Sequence, residues 1–468
     1  MSTAATSEET EAEAIAAAAE AVVTGSHTGS DVAMSMAGSE PEREVGDERR
    51  AMDPWMFFAA MALSCLGLVM VYSAGVYTAR VRYSDWEFFL ERQGLFFALG
   101  TALMLGVSRI DYRVFRRFAG LFMGLALLGL VAVLFVGVEV NGARRWIRFP
   151  GMNIQPSELA KVALAAFLST MLARQGERIV RFKAGFLPPL VVASLTMLLV
   201  LLERDLGTTI LLGALTMTLL FVAGTRIAYV LAAAMLAAPL VWHQIVDVGY
   251  RKGRLLDYLS GEQSYQIQQS LIAVGSGGPW GLGLGAGRQK LGFLPENHTD
   301  FILASIGEEL GLAGISVVIG LFCLLVWRGL VTARNAPDRF GTYLAIALSA
   351  LFGFQAMINM AVVLDVIPAK GITLPFLSYG GSSLLVSMGA VGILLAISRR
   401  PRPWRISDQR GSRRPAEVSM PGQGRAQRIA QARGQGSPIS GRASVLRRLW
   451  PWRAPGPAPA RRANVRRG

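Results

Sequence analysis

Phe293-Leu-Pro-Glu-Asn-His-Thr-Asp300-Phe-Ile-Leu-Ala-Ser-Ile-Gly-Glu308-Glu309 carries a long polar loop directly into an apolar helix. Pro295 fixes the backbone just outside, Thr299 is placed to cap the helix, and Phe301 starts an apolar run that Glu308 and Glu309 interrupt two turns later. Asp300 therefore stands at the water edge of a helix bound for lipid, where an ionisable group is expensive and marks function.

Outward from this stretch, the chain reads as all-α and polytopic. Of its 468 residues 52% are hydrophobic and only 17% charged, and its mean hydropathy is +0.40, well beyond what a soluble domain tolerates. Ten runs approach or reach the ~20 residues that a helix needs to cross hydrocarbon. They lie near Trp55 to Tyr77, Phe88 to Val107, Phe118 to Val138, Ser157 to Leu172, Phe186 to Leu202, Asp205 to Val222, Ile227 to Val246, Asp300 to Trp327, Phe340 to Leu364 and Pro375 to Ile397. Together they define a membrane domain over 55–398, with a large loop, 247–299, between the seventh and eighth helices.

The net charge of +15 invites a nucleic-acid reading, but its distribution argues otherwise. Residues 399–468 hold eighteen Arg against Asp408 and Glu417, a net +16, whereas residues 1–54 hold twelve acids against three Arg, a net −9. Neither tail has periodic apolar content, so both read as disordered, and the basic one suits anionic lipid better than nucleic acid. The acidic start lacks a basic n-region before an apolar stretch, so it is not read as a cleavable signal peptide. Cys65 and Cys323 fall in spans without metal-type spacing and read as small packing residues.

Short basic loops follow alternate helices, at Arg109 to Arg117, Arg174 to Lys183, Arg226 and Arg328 to Arg339. The positive-inside rule makes them cytoplasmic, with both termini inside and the 247–299 loop outside. Three guanidiniums in Asn141-Gly-Ala-Arg144-Arg145-Trp146-Ile-Arg148 then lie on the outer side, where topology gives them no reason to be. Arg forks suit phosphate or pyrophosphate.

Other polar groups share that side, each with a structural alternative. Glu158 and Lys161 open a helix after Gln155-Pro156 at i, i+3 spacing, which suits either ligand binding or a simple ion pair. Asp205, in the turn Glu203-Arg204-Asp205, either caps the next helix or faces the same cavity. Asp300 could simply be a helix-start carboxylate favoured by the dipole, whereas with Glu296 four residues before it the two acids could share a proton or a divalent cation. His298 is equally a loop residue or a catalyst, and Glu308 and Glu309 are expected to hold neighbouring helices or pair with buried cations. The segment Pro368-Ala-Lys370-Gly-Ile-Thr-Leu-Pro375-Phe-Leu-Ser378-Tyr-Gly-Gly381-Ser-Ser383 permits either close helix packing, which explains Gly380 to Ser383, or a broken helix lining a polar cavity, and packing does not explain Lys370, a cation at the outer membrane edge.

In these motifs the chain resembles the SEDS family (shape, elongation, division and sporulation), over about Trp55 to Arg400. The forms Asn141-Gly-Ala-Arg-Arg-Trp-Ile, Gln155-Pro-Ser-Glu-Leu-Ala-Lys161, Asp205-Leu-Gly-Thr, Leu294-Pro-Glu-Asn-His-Thr-Asp-Phe-Ile and Leu374-Pro-Phe-Leu-Ser-Tyr-Gly-Gly-Ser-Ser383 carry the resemblance, and Ala369-Lys-Gly-Ile-Thr-Leu-Pro375 is similar to the division branch more than to the elongation branch. The resemblance implies a peptidoglycan glycosyltransferase of the bacterial cytoplasmic (inner) membrane at the division septum, polymerising lipid II on the outer face. It implies Asp300 as the essential carboxylate, a divalent cation (Mg or Mn) at the pyrophosphate, and a class B penicillin-binding protein transpeptidase among other divisome partners. Arg144, Arg145, Lys161 and Lys370 are expected to neutralise pyrophosphate, with Glu158, Glu296, Asp205 and Ser378 in the substrate site. Glu203-Arg204 departs from the family's usual Gln-Pro, and Asp365 is unusual at a span end. A lipid II flippase and a noncatalytic scaffold that activates the transpeptidase are the competing readings.

Overall fold

The computed structural model describes residues 51–400 apart from 141, 150–151, 247–252, 254–259, 261–263 and 369–370. The acidic tail before 51, the Arg-rich tail after 400, Asn141, Lys370 and much of the 247–263 stretch lie outside the described residues.

The chain is a helical bundle built from α1 (Pro54–Tyr83), α2 (Phe88–Arg109), the short α3 (Arg113–Arg117), α4 (Ala119–Val136), α5 (Pro156–Gln175), α6 (Leu187–Leu202), α7 (Leu206–Val222), α8 (Ile227–Val246), α9 (Tyr265–Gly277), α10 (Ile302–Asn335), α11 (Arg339–Val363) and α12 (Gly381–Ser398). Among the described residues nine helices are long and apolar enough to cross a membrane. The tenth expected span is α7, whose 17 residues reach only about 25 Å at 1.5 Å per residue.

Local chemistry sets the helix ends. Asp53 caps α1, accepting from the amides of Trp55 and Met56, both at 3.1 Å. Its other role is tertiary, since Arg328 of α10 pairs with it at 2.6 Å and pins the start of α1 to α10. Asp338 caps α11 through the Gly341 amide at 2.7 Å and also takes the Tyr112 hydroxyl at 3.1 Å, so the α2–α3 turn is fixed against the α10–α11 turn. The helices α5 and α12 are the most deeply buried, with α2 against α12 and α4 and α11 against α5. Cys65 and Cys323, expected to pack inside, are free thiols facing outward.

Three segments differ from the sequence reading. Among the described residues the one departure from an all-helical fold is a three-stranded antiparallel sheet, β1 (Val138–Val140), β2 (Ala143–Phe149) and β3 (Met152–Ile154). The aromatic and β-branched residues of Trp146-Ile147-Arg148-Phe149 favour this pairing once α4 and α5 bring its ends together. The expected Pro375–Ile397 span is helical only from Gly381, because Phe376 takes a φ of 67° and turns the chain. Finally, α10 begins at Ile302 and breaks at Gly311, where φ is 68° and ψ −163°. Thr299 does not cap it, because its hydroxyl turns back to the carboxylate of Glu296 at 2.9 Å.

Candidate functional site

The sheet, the start of α5, the α6–α7 turn, the loop before α10 and the 371–383 segment converge at one end of the bundle. They enclose a cavity of about 530 Å³ lined by Arg145, Glu158, Lys161, Arg204, Asp205, Glu296, Asp300, Gln355 and Ser383, among others. Of the candidate residues, the structure brings Arg145, Lys161, Glu158, Glu296, Asp205 and Asp300 to this one space. Arg144 does not line it and lies 3.5 Å from Glu139 across the hairpin instead. Ser378 is buried behind the wall.

Asp300 is half-buried, and two hydrogen bonds hold the main chain around it. Ser378 donates its hydroxyl to the Thr299 carbonyl at 2.6 Å, and Asn359 donates its amide to the Asp300 carbonyl at 2.8 Å. The same Asn359 amide group reaches the Ile372 carbonyl at 2.7 Å, and Ser378 also accepts from the Leu374 amide at 2.8 Å. The loop carrying Asp300 is thus fastened to the 372–378 turn. A Cβ on Gly371 would stand 3.0 Å from Asp300 Oδ2, so a larger residue there would crowd that carboxylate.

Lys161 is the buried cation of the cavity. Its Nζ lies 2.9 Å from Glu158 Oε1 and 3.1 Å from Gln355 Oε1. Gln355 in turn donates to the Thr373 carbonyl at 3.0 Å, and Ser383 donates to Glu158 Oε2 at 3.2 Å. Two charges taken from water in this way require such full hydrogen bonding to be tolerated. Gln355 and Asn359 were not singled out in the sequence. Their signal is present, two amides four residues apart in the otherwise apolar Phe340 to Leu364 run, which puts both on one face of α11.

Two arginines cross between the hairpin and the α6–α7 turn. Arg145 donates through Nε to the Glu203 carbonyl at 3.3 Å and through a terminal nitrogen to the Arg204 carbonyl at 2.6 Å. Arg204, at a φ of 63°, returns a bond to the Gly142 carbonyl at 2.8 Å. Both guanidiniums thereby reach the cavity wall on restrained backbones. Asp205 caps α7, accepting the Thr208 amide at 3.0 Å and its hydroxyl at 2.8 Å. Burial pushes the Glu203 carboxyl up to about 9, with Asp205 adding to the rise and Arg145 opposing it. Among the described residues neither Glu203 side-chain oxygen has a hydrogen-bond partner.

Glu308 and Glu309 grip a loop. Glu308 accepts from the Arg288 amide at 2.7 Å and the Gln289 amide at 3.2 Å. Glu309 accepts the Ser73 hydroxyl at 2.7 Å, the Gly285 amide at 2.9 Å and Lys290 Nζ at 2.8 Å. Their main-chain carbonyls take the amides of Leu282 and Gly283, each at 3.0 Å. The break at Gly311 leaves room for this, and a Cβ at Gly281, whose φ is 83°, would overlap the Glu309 carbonyl.

Among the described residues no group of three or more His, Cys, Asp or Glu is arranged to hold a metal. Glu158, Asp205 and Glu296 each engage a protein donor already, so the cavity has no dedicated cation cage.

A family model described as cell cycle protein, covering FtsW, RodA and SpoVE, matches residues 54–402. The chain is 45% identical over 348 residues to "Probable peptidoglycan glycosyltransferase FtsW" of Geobacter sulfurreducens, covering 73% of this chain and 93% of that protein. It is 39% identical over 362 residues to stage V sporulation protein E of Bacillus subtilis, covering 76% and 99%. Among solved structures it resembles a chain of a peptidoglycan synthase complex that coordinates polymerization and crosslinking, with a TM-score of 0.62 and 28% identity over 75% of this chain and 98% of that one. The rod shape determining protein RodA of Thermus thermophilus is similar with a TM-score of 0.57 and 27% identity, covering 75% and 97%.

Proposed function

This chain belongs to the FtsW, RodA and SpoVE family, and from that premise we propose that its cavity joins lipid-linked disaccharides into glycan strands. The chain is a multi-pass membrane protein and a peptidoglycan glycosyltransferase of cell division. The finer reading is that lipid II is its substrate, that the cavity end faces out from the cytoplasmic membrane at the septum, and that a class B penicillin-binding protein works beside it.

The observation that carries the reading is Asp300 and Lys161 lining one cavity of about 530 Å³ with Arg145 and Arg204 on its wall. Glycosyl transfer from a lipid pyrophosphate needs a base for the acceptor and cations for the leaving group. The Asp300 carboxylate takes the proton of the acceptor's 4-hydroxyl. That oxygen forms its bond to the donor's anomeric carbon in line with the departing oxygen, and the breaking bond's electron pair leaves on the pyrophosphate. Arg145, Arg204 and Lys161 neutralise that charge, and Lys370 is assigned to the same task from its sequence position. Asn359 and Ser378 act through the backbone as positioning residues.

A divalent cation at the pyrophosphate stays part of the proposal and would help neutralise the leaving group there, although the described residues form no cage for it. Restoring turnover with Mg²⁺ or Mn²⁺ after chelation tests it. A transporter would spread essential charges through the bilayer, whereas the cavity's ionisable groups gather at one end of the bundle, which favours surface chemistry over flipping.

Lipid II polymerisation by the full chain with its cognate transpeptidase, comparing wild type with Asp300→Asn, tests the reading. Glycan from wild type and none from a folded variant supports it. Equal polymer from both removes Asp300, and no polymer from either favours a transporter or scaffold.

A further inference from the structure

A second chamber of about 300 Å³ adjoins the first. The two share Val140, Trp146, Thr299, Tyr379 and Gly380 in their walls, so Trp146 and Tyr379 form a partition with Asp300's neighbour Thr299 at its edge. The second chamber has its own cations, Arg92 and Arg148, together with Asn153 and His298, and among the described residues no acidic one lines it. Among the described residues no carboxylate forms an ion pair with either guanidinium.

The arrangement follows from strand geometry. Side chains alternate across β2, so Trp146 and Arg148 share a face while Arg145 leaves from the other. One arginine-rich motif is thereby divided, with Arg145 in the first chamber and Arg148 in the second. Arg92 is held in place. Its guanidinium carbon lies 4.3 Å from the Phe88 ring centroid, and Tyr379 lines the same chamber. Around it Tyr83, Phe88 and Phe89 pack as a stacked and edge-to-face cluster, and Phe89 meets both His298 and Tyr379. Two cations lining a chamber with aromatic walls suit an anion joined to a sugar, the guanidiniums taking phosphate oxygens and the rings the sugar's C–H face.

We infer that the smaller chamber is the acceptor subsite, binding the phosphate and first sugar of the second lipid-linked saccharide through Arg92 and Arg148. This rests on the glycosyltransferase reading above. The reaction joins two molecules of one chemical class, and only the donor loses its pyrophosphate. The acceptor keeps its own throughout, so it needs cations separate from those that receive the leaving group. A sugar extending past the partition brings its hydroxyl to Asp300 from the Thr299 side.

The test uses two substrates that each play one part. The donor is lipid II methylated at its 4-hydroxyl, which cannot accept. The acceptor is the matching lipid-linked disaccharide monophosphate, a poor leaving group, and the product is a lipid-linked tetrasaccharide. With the full chain and its cognate transpeptidase in lipid nanodiscs, Arg92→Gln with Arg148→Gln is expected to raise the half-saturating acceptor concentration at least about tenfold, as loss of charge-assisted bonds implies. The half-saturating donor concentration stays within about twofold, and Arg145→Gln reverses the pattern. Arg92→Lys with Arg148→Lys keeps the charge but not the planar fork, and is expected to recover at least about threefold of the acceptor loss seen in the glutamine pair while leaving the donor value unchanged. Equal shifts for donor and acceptor, no shift for either, or the same acceptor loss in the lysine variant overturns the assignment. No tetrasaccharide from wild type overturns the glycosyltransferase reading itself, and the subsite with it.

Discussion

Asn359 of α11 donates its side-chain amide to the main-chain carbonyl of Asp300 at 2.8 Å, and to that of Ile372 at 2.7 Å. One amide thus fixes the loop that bears the carboxylate against the turn that closes the cavity. It touches no reacting atom, yet it sets where the Asp300 backbone sits.

Asn359→Ala is therefore expected to lower kcat by about a hundredfold, the scale on which small misplacements of a catalytic group act. The half-saturating lipid II concentration changes far less, because the cations remain. Steady-state kinetics on nanodisc-embedded protein separates the two. A change confined to substrate affinity would count against a positioning role.

Removing Lys161 alone leaves Glu158 buried with an uncompensated charge. Lys161→Met is expected to destabilise by roughly 3–5 kcal/mol, and pairing it with Glu158→Gln is expected to recover most of that. Activity should stay lost in the double variant, since the cation facing the pyrophosphate is gone. Thermal unfolding alongside glycan yield reads both, and recovery of yield with stability would make the pair purely structural.

Glu203 gives a pH signature. Its carboxyl is raised to about 9 by burial first and Asp205 second, so the folded chain holds a proton that the unfolded chain releases near the ordinary value. Below the unfolded value both states are protonated and there is no penalty. Between about 4.5 and 9 the stability of the fold falls as pH rises. Glu203→Gln is expected to raise Tm at pH 8 and to flatten its pH slope, by unfolding in matched detergent. An unchanged slope would exclude Glu203 as the titrating group.

The grip of Glu309 on the glycine-rich loop predicts a local effect. Glu309→Gln removes the charge opposite Lys290 and weakens the acceptor for Gly285, and Gly281→Ala places a Cβ against the Glu309 carbonyl. Amide exchange over 282–291 is expected to rise at least about tenfold in both variants, with the rest of the bundle unchanged. Uniform exchange across all helices would mean the glutamates hold the bundle and not the loop.

Much of the fold was legible because hydrocarbon permits few alternatives. Apolar runs such as Phe118 to Val138 can only cross as helices, and Pro156 with Glu158 marks a helix start in any setting. The extra sheet was not legible, since three strands of three to seven residues pair only after α4 and α5 hold their ends. Thr299 as a cap failed for a related reason. Its hydroxyl found Glu296, which the left-handed turn at that residue, with a φ of 56°, brings within reach.

The sequence by itself determined a polytopic membrane chain, the Glu158–Lys161 pair spaced one helical turn apart and the prominence of Asp300, because these depend on composition and on neighbours within a few residues. Only the tertiary structure decided that Arg145 and Arg148 of one short strand enter different chambers, that Arg144 turns to Glu139, and that Asn359 and Ser378 hold the Asp300 loop. Apart from the Arg144–Glu139 contact within the hairpin, those outcomes join segments tens of residues apart, and no local preference specifies which distant carbonyl a buried amide or hydroxyl will meet.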